Sequence, residues 1–372
     1  MKTDLFSVSK IFTERLLRIP DYQRGYAWGE KQLKDYWADL LQLESGKNHY
    51  IGVLTLEDVP SDIVDTWNDD HWIIKAKNYA PFYVVDGQQR LTTTIILIQA
   101  ITESVKGDVK LNFTTVEDIK KKYLFDSKDE GVSRSYIFGY EKDNPSYEYL
   151  KSKIFLEKTP SLYRVQETIY THNLEHAKQF FIEKLSGMDV TDIEKIYAKV
   201  TQSLLFNIYA ISNDIDVFVA FETMNNRGKE LSHLELLKNR LIYLTTKFNV
   251  EDYERSALRK LINESWKSIY HYLGKNKQRP LDDDLFLENH FILYFGDILS
   301  EDVDDRYRIR YLHRRYRLHF KEYLLESKFT AKNINETGKK QLTLTDVKNY
   351  AESLKESVEA WYQILNPLAG CR

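Results

Sequence analysis

Residues 83–101 read YVVDGQQRLTTTIILIQAI. Phe82, Tyr83, Val84 and Val85 form a short apolar, β-branched run, the pattern of a buried strand. Asp86 and Gly87 break it. Leu91, Ile95, Ile98 and Ile101 then recur at helical spacing. A strand therefore turns sharply into a helix, with Gln88, Gln89 and Arg90 in its first turn. A helix N-terminus has unpaired N–H groups and partial positive charge, so it favours anions. A cation there is unfavourable by about 0.3–1 kcal/mol when exposed. Two readings of Arg90 follow. Either Arg90 and the amides face a bound anion such as phosphate, or Arg90 pairs with Asp86.

Outward from this turn, the chain has the means to build a core around it. It has 372 residues, 42% of them hydrophobic, enough for two domains or one large domain with an insertion. The net charge of −3 argues against a protein that coats nucleic acid indiscriminately, while leaving room for a local basic patch. The single cysteine, Cys371, permits no disulfide framework or cysteine metal site within one chain, as suits a reducing compartment. The N-terminus shows no apolar leader and no run reaches membrane-spanning length, so the expectation is a soluble cytoplasmic protein without a membrane partner.

Upstream, Phe6–Ile19 reads as an extended segment. Residues 19–28, IPDYQRGYAW, form a loop punctuated by Pro20 and Gly25. Glu30–Leu43 is an amphipathic helix and Tyr50–Glu57 a strand. His71–Lys77 reads as a further strand. Downstream, Thr114–Ser203 is mainly helical, with a capping box at Thr115 and a long helix over Leu162–Leu185. Leu204–Ile211 returns to strand character. Ser232-His233-Leu234-Glu235 is a capping box that opens another helix. From about residue 250 the pattern is helical throughout. The fold class is therefore α+β. A small mixed core is followed by an all-helical C-terminal region. The domain expectation is a mixed α+β domain over 1–245, with a helical insertion at about 106–202, and a helical domain over 246–372.

Three stretches share a composition: Tyr22-Gln23-Arg24, Asp86 to Arg90, and Asn225-Asn226-Arg227-Gly228. Each sets an Arg and an amide side chain near a glycine. Arg offers a planar donor fork suited to phosphate oxygens. Gln and Asn donate to phosphate or orient a water, and Gly admits close backbone approach. Asp86 suits a divalent cation or a sugar hydroxyl, and Tyr22, Tyr26 and Trp28 suit stacking on a base. For each stretch the plain structural alternative is a turn with an Arg–Asp ion pair.

The motifs IPDYQRGYAW, YIGVLTLE, YVVDGQQRLTT and FETMNNRGKELSHLELLKN occur in that order over about residues 5–245. Together they resemble the N-terminal domain of GmrSD/SspE-type restriction systems, which are bacterial anti-phage proteins. The resemblance implies a ParB/sulfiredoxin-like core in which the strand-to-helix turn holds phosphates. It also implies binding and hydrolysis of a nucleoside triphosphate (GTP, ATP, UTP or CTP) with Mg²⁺, coupled to restriction of modified DNA. The family's DGQQR motif falls on Asp86, Gly87, Gln88, Gln89 and Arg90, of which Asp86, Gln88, Gln89 and Arg90 are the catalytic candidates. Its YQR element falls on Tyr22, Gln23 and Arg24. Its third element falls on Phe221, Glu222, Asn225, Arg227, Gly228, Leu231 and Ser232, with Lys238 and Asn239 following. The nucleotide-binding set is then Tyr22, Gln23, Arg24, Gly87, Asn225, Arg227, Gly228 and Lys238.

Many relatives carry an HNH nuclease domain, and no such motif follows residue 240. His271, His290, His313 and His319 lack its flanking pattern. Two alternatives follow: a separate HNH nuclease subunit supplies the cutting domain as a partner, or the chain is a truncated or divergent member. There is no G-x-x-x-x-G-K-[ST] motif, so the chain is not a P-loop enzyme. The alternative function is a non-hydrolysing nucleotide sensor or DNA-specificity module. His172-Asn173-Leu174-Glu175-His176 matches an inverted zinc-peptidase motif but has no evident third ligand, so it reads as a solvated helix face. Residues 306–321, RYRIRYLHRRYRLHFK, are basic and aromatic without an acid. Arg306, Arg308, Arg310, Arg314, Arg315 and Arg317 are the DNA-binding candidates, against an ordinary helix whose arginines pair with nearby acids.

Overall fold

A computed structural model describes residues 5–20, 23–105, 107–128, 133–142, 144, 146–157, 168–211, 232–276, 278–299, 320–338 and 341–367. The chain divides into two compact units, residues 1–215 and 216–372. The first is a mixed α+β unit; the described part of the second is helical.

The first unit is built on a six-stranded sheet. Its strands are β1 (Leu5–Ser7), β2 (Arg15–Ile19), β3 (His49–Asp58), β4 (Ala80–Asp86), β9 (Phe138–Tyr140) and β10 (Leu204–Ile211). The order is β1-β10-β3-β4-β2-β9. β3 pairs antiparallel with β4, whereas β10 runs parallel to β3 and β2 runs parallel to both β4 and β9. Two small hairpins lie outside this sheet: β5 (Lys110–Leu111) with β6 (Thr114–Thr115), and β7 (Phe125–Lys128) with β8 (Ser133–Tyr136).

Short helices α1 (Val8–Ile11) and α3 (Ser61–Val64) join strands. The longer ones are α2 (Glu30–Gln42), α4 (His71–Lys77), α5 (Gln88–Ser104), α6 (Val116–Tyr123), α8 (Ile169–Leu185) and α9 (Val190–Ala198), with α7 (Ser146–Tyr149) a single turn. α5 is the hub. Leu91 and every residue from Thr92 to Thr102 are buried, as befits a helix surrounded by protein on all sides. Two of its threonines are satisfied within the helix and by facing phenols. Thr93 and Thr94 donate to the Gln89 and Arg90 carbonyls, and meet the hydroxyls of Tyr26 and Tyr36 at 2.7 and 3.0 Å. Burial drives both phenols well above their ordinary range, so they stay protonated.

The strand expected at His71–Lys77 is a helix. Asn78 closes it in the left-handed conformation (φ 57°), and Lys75 and Lys77 occupy the last turn, both favourable at a helix C-terminus. The stretch over 114–203 holds more strand than expected, because β9 forms one edge of the main sheet. The strands at Tyr50–Glu57 and Leu204–Ile211 and the helix after residue 29 form as read, and Thr115 caps α6 by accepting from Asp118 N. α8 begins at Ile169 behind a Thr168 cap; residues 162–167, also read as part of this helix, lie outside the described residues.

In the second unit Ser232 accepts from Glu235 N, and Glu235 accepts from Ser232 N, the expected box. The helices Asp252–Gly274 and Leu344–Leu365 pack together around Trp266, whose Nε1 donates to Leu234 O. His290 is buried against Tyr294 and Tyr350, with Nε2 3.0 Å from Ser353 Oγ. Burial pushes its imidazole down to about 3. An unfolded imidazole titrates near 6.5, so below that pH the unfolded chain takes up a proton that the folded chain refuses. Stability is therefore expected to fall as pH drops from 6.5 toward 3, by about 1 kcal/mol per pH unit. Denaturant midpoints at pH 7, 6 and 5 check this. His290→Phe flattens the slope; an unchanged slope contradicts the assignment.

Candidate functional site: the strand-to-helix turn and its loop

Gly87 joins β4 to α5 with φ 81° and ψ 2°, the left-handed region. A Cβ there would stand 2.7 Å from Val53 O on β3. Glycine is thus demanded by the neighbouring strand as well as by the backbone angle. Both partners are irregular at this level. The β3–β4 register shifts between Thr55 and Leu56, and the β10–β3 register shifts beside Ile51 and Gly52. Such bulges re-aim strands next to sites.

Gly52 has the same kind of purpose. A Cβ on it would lie 2.8 Å from the Arg90 Cζ. The guanidinium rests on this bare stretch of β3, donates to Val53 O at 3.1 Å, and stands 3.9 Å from Asp86 Oδ2. The Arg90 and Asp86 side chains are 14% and 21% exposed, so both border the surface at the helix N-terminus. The ion pair foreseen as the alternative thus forms at long range, and Arg90 also leans on β3. Gly52 was missed in sequence; a glycine inside a strand pattern is the signal for a bulge or a close approach.

The loop that follows β2 is fastened to this turn. Gln89 holds it at two points, donating to Gly25 O at 3.2 Å and accepting from Ala27 N at 2.7 Å. Gln23 donates to Val85 O, and Gln88 Nε2 approaches Gln23 Oε1 at 3.4 Å. Asn144 and Asn173 donate to the Gln23 and Tyr26 carbonyls. A Cβ at Gly25 would collide with Tyr170 at 2.5 Å, so the loop presses on α8. Arg24 is buried here, 7% exposed. Gln23, Gln88 and Gln89 thus form one framework. Tyr26 and Trp28 do not stack outward as expected. Both are core residues, 0% and 8% exposed, and Trp28 meets Tyr36 edge-on.

Among the described helices of eight or more residues, α5 combines the lack of a capping side chain with the lack of a first-turn acid; α2 and Asp252–Gly274 also lack a side-chain cap but begin with Glu30 and with Asp252 and Glu254. Thr115, Thr168, Asp189, Ser232 and Thr343 each accept from a backbone N–H of the helix they precede. Gly87 has no side chain to do so, and the first turn of α5 holds no acid. Gln88 is 8% exposed, and its Oε1 has no hydrogen-bond partner among the described residues. A buried acceptor left open carries a cost, which a donor brought by a ligand or water removes.

Lys238 is buried in the helix His233–Thr245 of the second unit. Tyr22, Asn225, Arg227 and Gly228 fall outside the described residues, as do Arg306, Arg308, Arg310, Arg314, Arg315 and Arg317. His172 and Glu175 sit exposed on α8, and Glu175 accepts from Tyr149. Among the described residues no helix is long and apolar enough to cross a membrane.

Comparison with known proteins agrees with the motif reading. The profile of the GmrSD restriction endonuclease N-terminal domain matches residues 3–242. An uncharacterized protein of Methanocaldococcus jannaschii is 23% identical over 252 residues. That match covers 63% of this chain and 40% of the archaeal protein.

Proposed function

Because the chain belongs to the GmrSD restriction endonuclease N-terminal domain family, we propose that it is the nucleotide-binding, NTP-hydrolysing regulatory part of a modification-dependent restriction system. We read its mixed sheet as the ParB/sulfiredoxin type, with the phosphates seated at the turn from β4 into α5. One observation carries this reading. The N-terminus of a 17-residue buried helix has neither a capping side chain nor a first-turn acid, and has a cation beside it. A triphosphate supplies the missing negative charge.

In this reading the first-turn amides of α5 cradle phosphate oxygens, and the Arg90 fork binds them from the β3 side. Arg24 and Arg227 add charge that stabilises the transferring phosphoryl group. Both ends of the Gln89 amide are engaged by the loop backbone, so Gln89 is a positioning residue. Gln88, whose Oε1 is open, accepts a hydrogen bond from the attacking water and orients it. Asp86 fits Mg²⁺, which commonly takes one carboxylate together with substrate phosphates and waters. When bound, the ion neutralises phosphate charge. Modified DNA and a separate HNH nuclease are the proposed partners.

Phosphate release from GTP, ATP, UTP and CTP, with Mg²⁺ and with or without modified DNA, tests this. Release by the wild-type chain is expected with at least one nucleotide. Nucleotide binding without release under any condition would overturn hydrolysis and leave a sensor.

A further inference from the structure

The loop from β2 to α2 has no helix or strand pairing over residues 23–29. Its backbone groups are met instead by side-chain amides from other elements. Gln89 of α5 takes Gly25 O and Ala27 N. Tyr26 O falls between those two groups in the chain, and accepts from Asn173 Nδ2 of α8 at 3.1 Å. Gln23 O accepts from Asn144 Nδ2 at 3.4 Å, and Asn144 Oδ1 accepts from Ser146 N at 2.9 Å. Packing follows the same lines. A Cβ on Gly25 would stand 2.5 Å from Tyr170 Cβ and 3.0 Å from Ser146 Oγ. The loop is thus held both by the helix that follows Gly87 and by α8 with the turn before α7.

α8 is a firm support for this contact. Thr168 caps it, and Lys178 ties it to α5 through Glu103 at 2.8 Å while donating to the Lys153 and Ile154 carbonyls. Glu103 lies near the C-terminal end of α5 and Gln89 at its start. The two helices are therefore joined directly at one end and share the loop at the other. Asn173 belongs to the His172–His176 stretch, whose spacing matches a zinc motif. In the fold His172 is exposed and Glu175 accepts from Tyr149, whereas Asn173 is the member that reaches the loop. Its bond goes to a main-chain carbonyl, so it fixes the path of the chain itself. That path sets where Arg24 stands and how the Gln89 amide is engaged.

We propose that Asn173 is a positioning residue of the phosphate site, acting through the Gln23–Ala27 loop to hold Arg24 and Gln89 in register with the α5 N-terminus. This rests on the reading of that turn as a phosphate site. The test is calorimetric titration of the full chain with the β,γ-imido analogues of the four nucleoside triphosphates, with Mg²⁺. Asn173→Leu keeps the size of the side chain and removes the donor. It is expected to weaken binding about three- to tenfold, the worth of one hydrogen bond. Asn173→Asp sets a carboxylate against Tyr26 O and loses at least as much. His172→Ala, on the exposed face of the same helix, leaves affinity unchanged. Thermal unfolding followed by circular dichroism checks that each variant is folded. In a Gln89→Ala chain the loop is already released, so adding Asn173→Leu costs less than about twofold more. A purely structural effect of Asn173 would appear in full there. Wild-type affinity in both folded Asn173 variants, or a fully additive loss in the double variant, overturns the proposal. Weakened binding in Arg90→Ala beside unchanged binding in the Asn173 variants overturns it alone. No saturable binding by the wild type overturns the phosphate reading and this proposal together.

Discussion

Arg90→Ala is expected to lower affinity for a nucleoside triphosphate by about 10- to 150-fold, the range for hydrogen bonds to a charged group. The guanidinium combines charge with a planar fork, and its position over Gly52 holds that fork at the α5 N-terminus. Arg90→Lys retains the charge on a flexible stem and loses the fork, so its affinity should fall between the two. The fold survives both changes, because the hydrophobic core does not depend on this side chain. Calorimetric titration of the three proteins at fixed ionic strength makes the comparison. Equal affinities would reduce Arg90 to a strut between Val53 and Asp86.

Asp70→Ala is expected to cost about 3–5 kcal/mol of stability, the usual price of stranding one partner of a buried ion pair. Arg18 Nη2 meets Asp70 Oδ2 at 2.7 Å, and the two side chains are 6% and 12% exposed. Arg18 also donates to Leu17 O and lies on Trp67. At 6% exposure it meets little water to replace the carboxylate. The pair itself adds little net stability, since desolvation offsets most of its Coulomb attraction. The double variant Arg18→Met, Asp70→Ala should therefore recover much of the loss. Urea denaturation of the wild type and the variants measures the cycle. A single-variant cost below about 1 kcal/mol would show that solvent reaches Arg18.

The turn from β4 into α5 was legible because local rules agree there: a β-branched run, a glycine, then helical periodicity. The capping boxes at Thr115 and Ser232 were legible for the same reason. His71–Lys77 was not. Trp72, Ile73 and Ile74 are equally at home in strand and helix over so short a span. The segment lies outside the sheet, and its ending depends on one left-handed Asn78. β9 has only three residues, too few for any period to register. The roles of Tyr26 and Trp28 were misread because aromatic composition does not distinguish a stacking platform from a core. The Arg18–Asp70 pair joins residues more than fifty apart, and no spacing rule reaches that far. Local sequence thus revealed the phosphate-binding candidates, while tertiary structure assigned Gln89 to the loop and left Gln88 open.

The central claim is that phosphates sit at the N-terminus of α5. Amide proton and nitrogen shifts of Gly87, Gln88 and Gln89 test it directly, recorded while a non-hydrolysable nucleoside triphosphate with Mg²⁺ is titrated into the full chain. The account predicts that these three amides move the most and saturate together. Saturable binding that leaves them unmoved would contradict it.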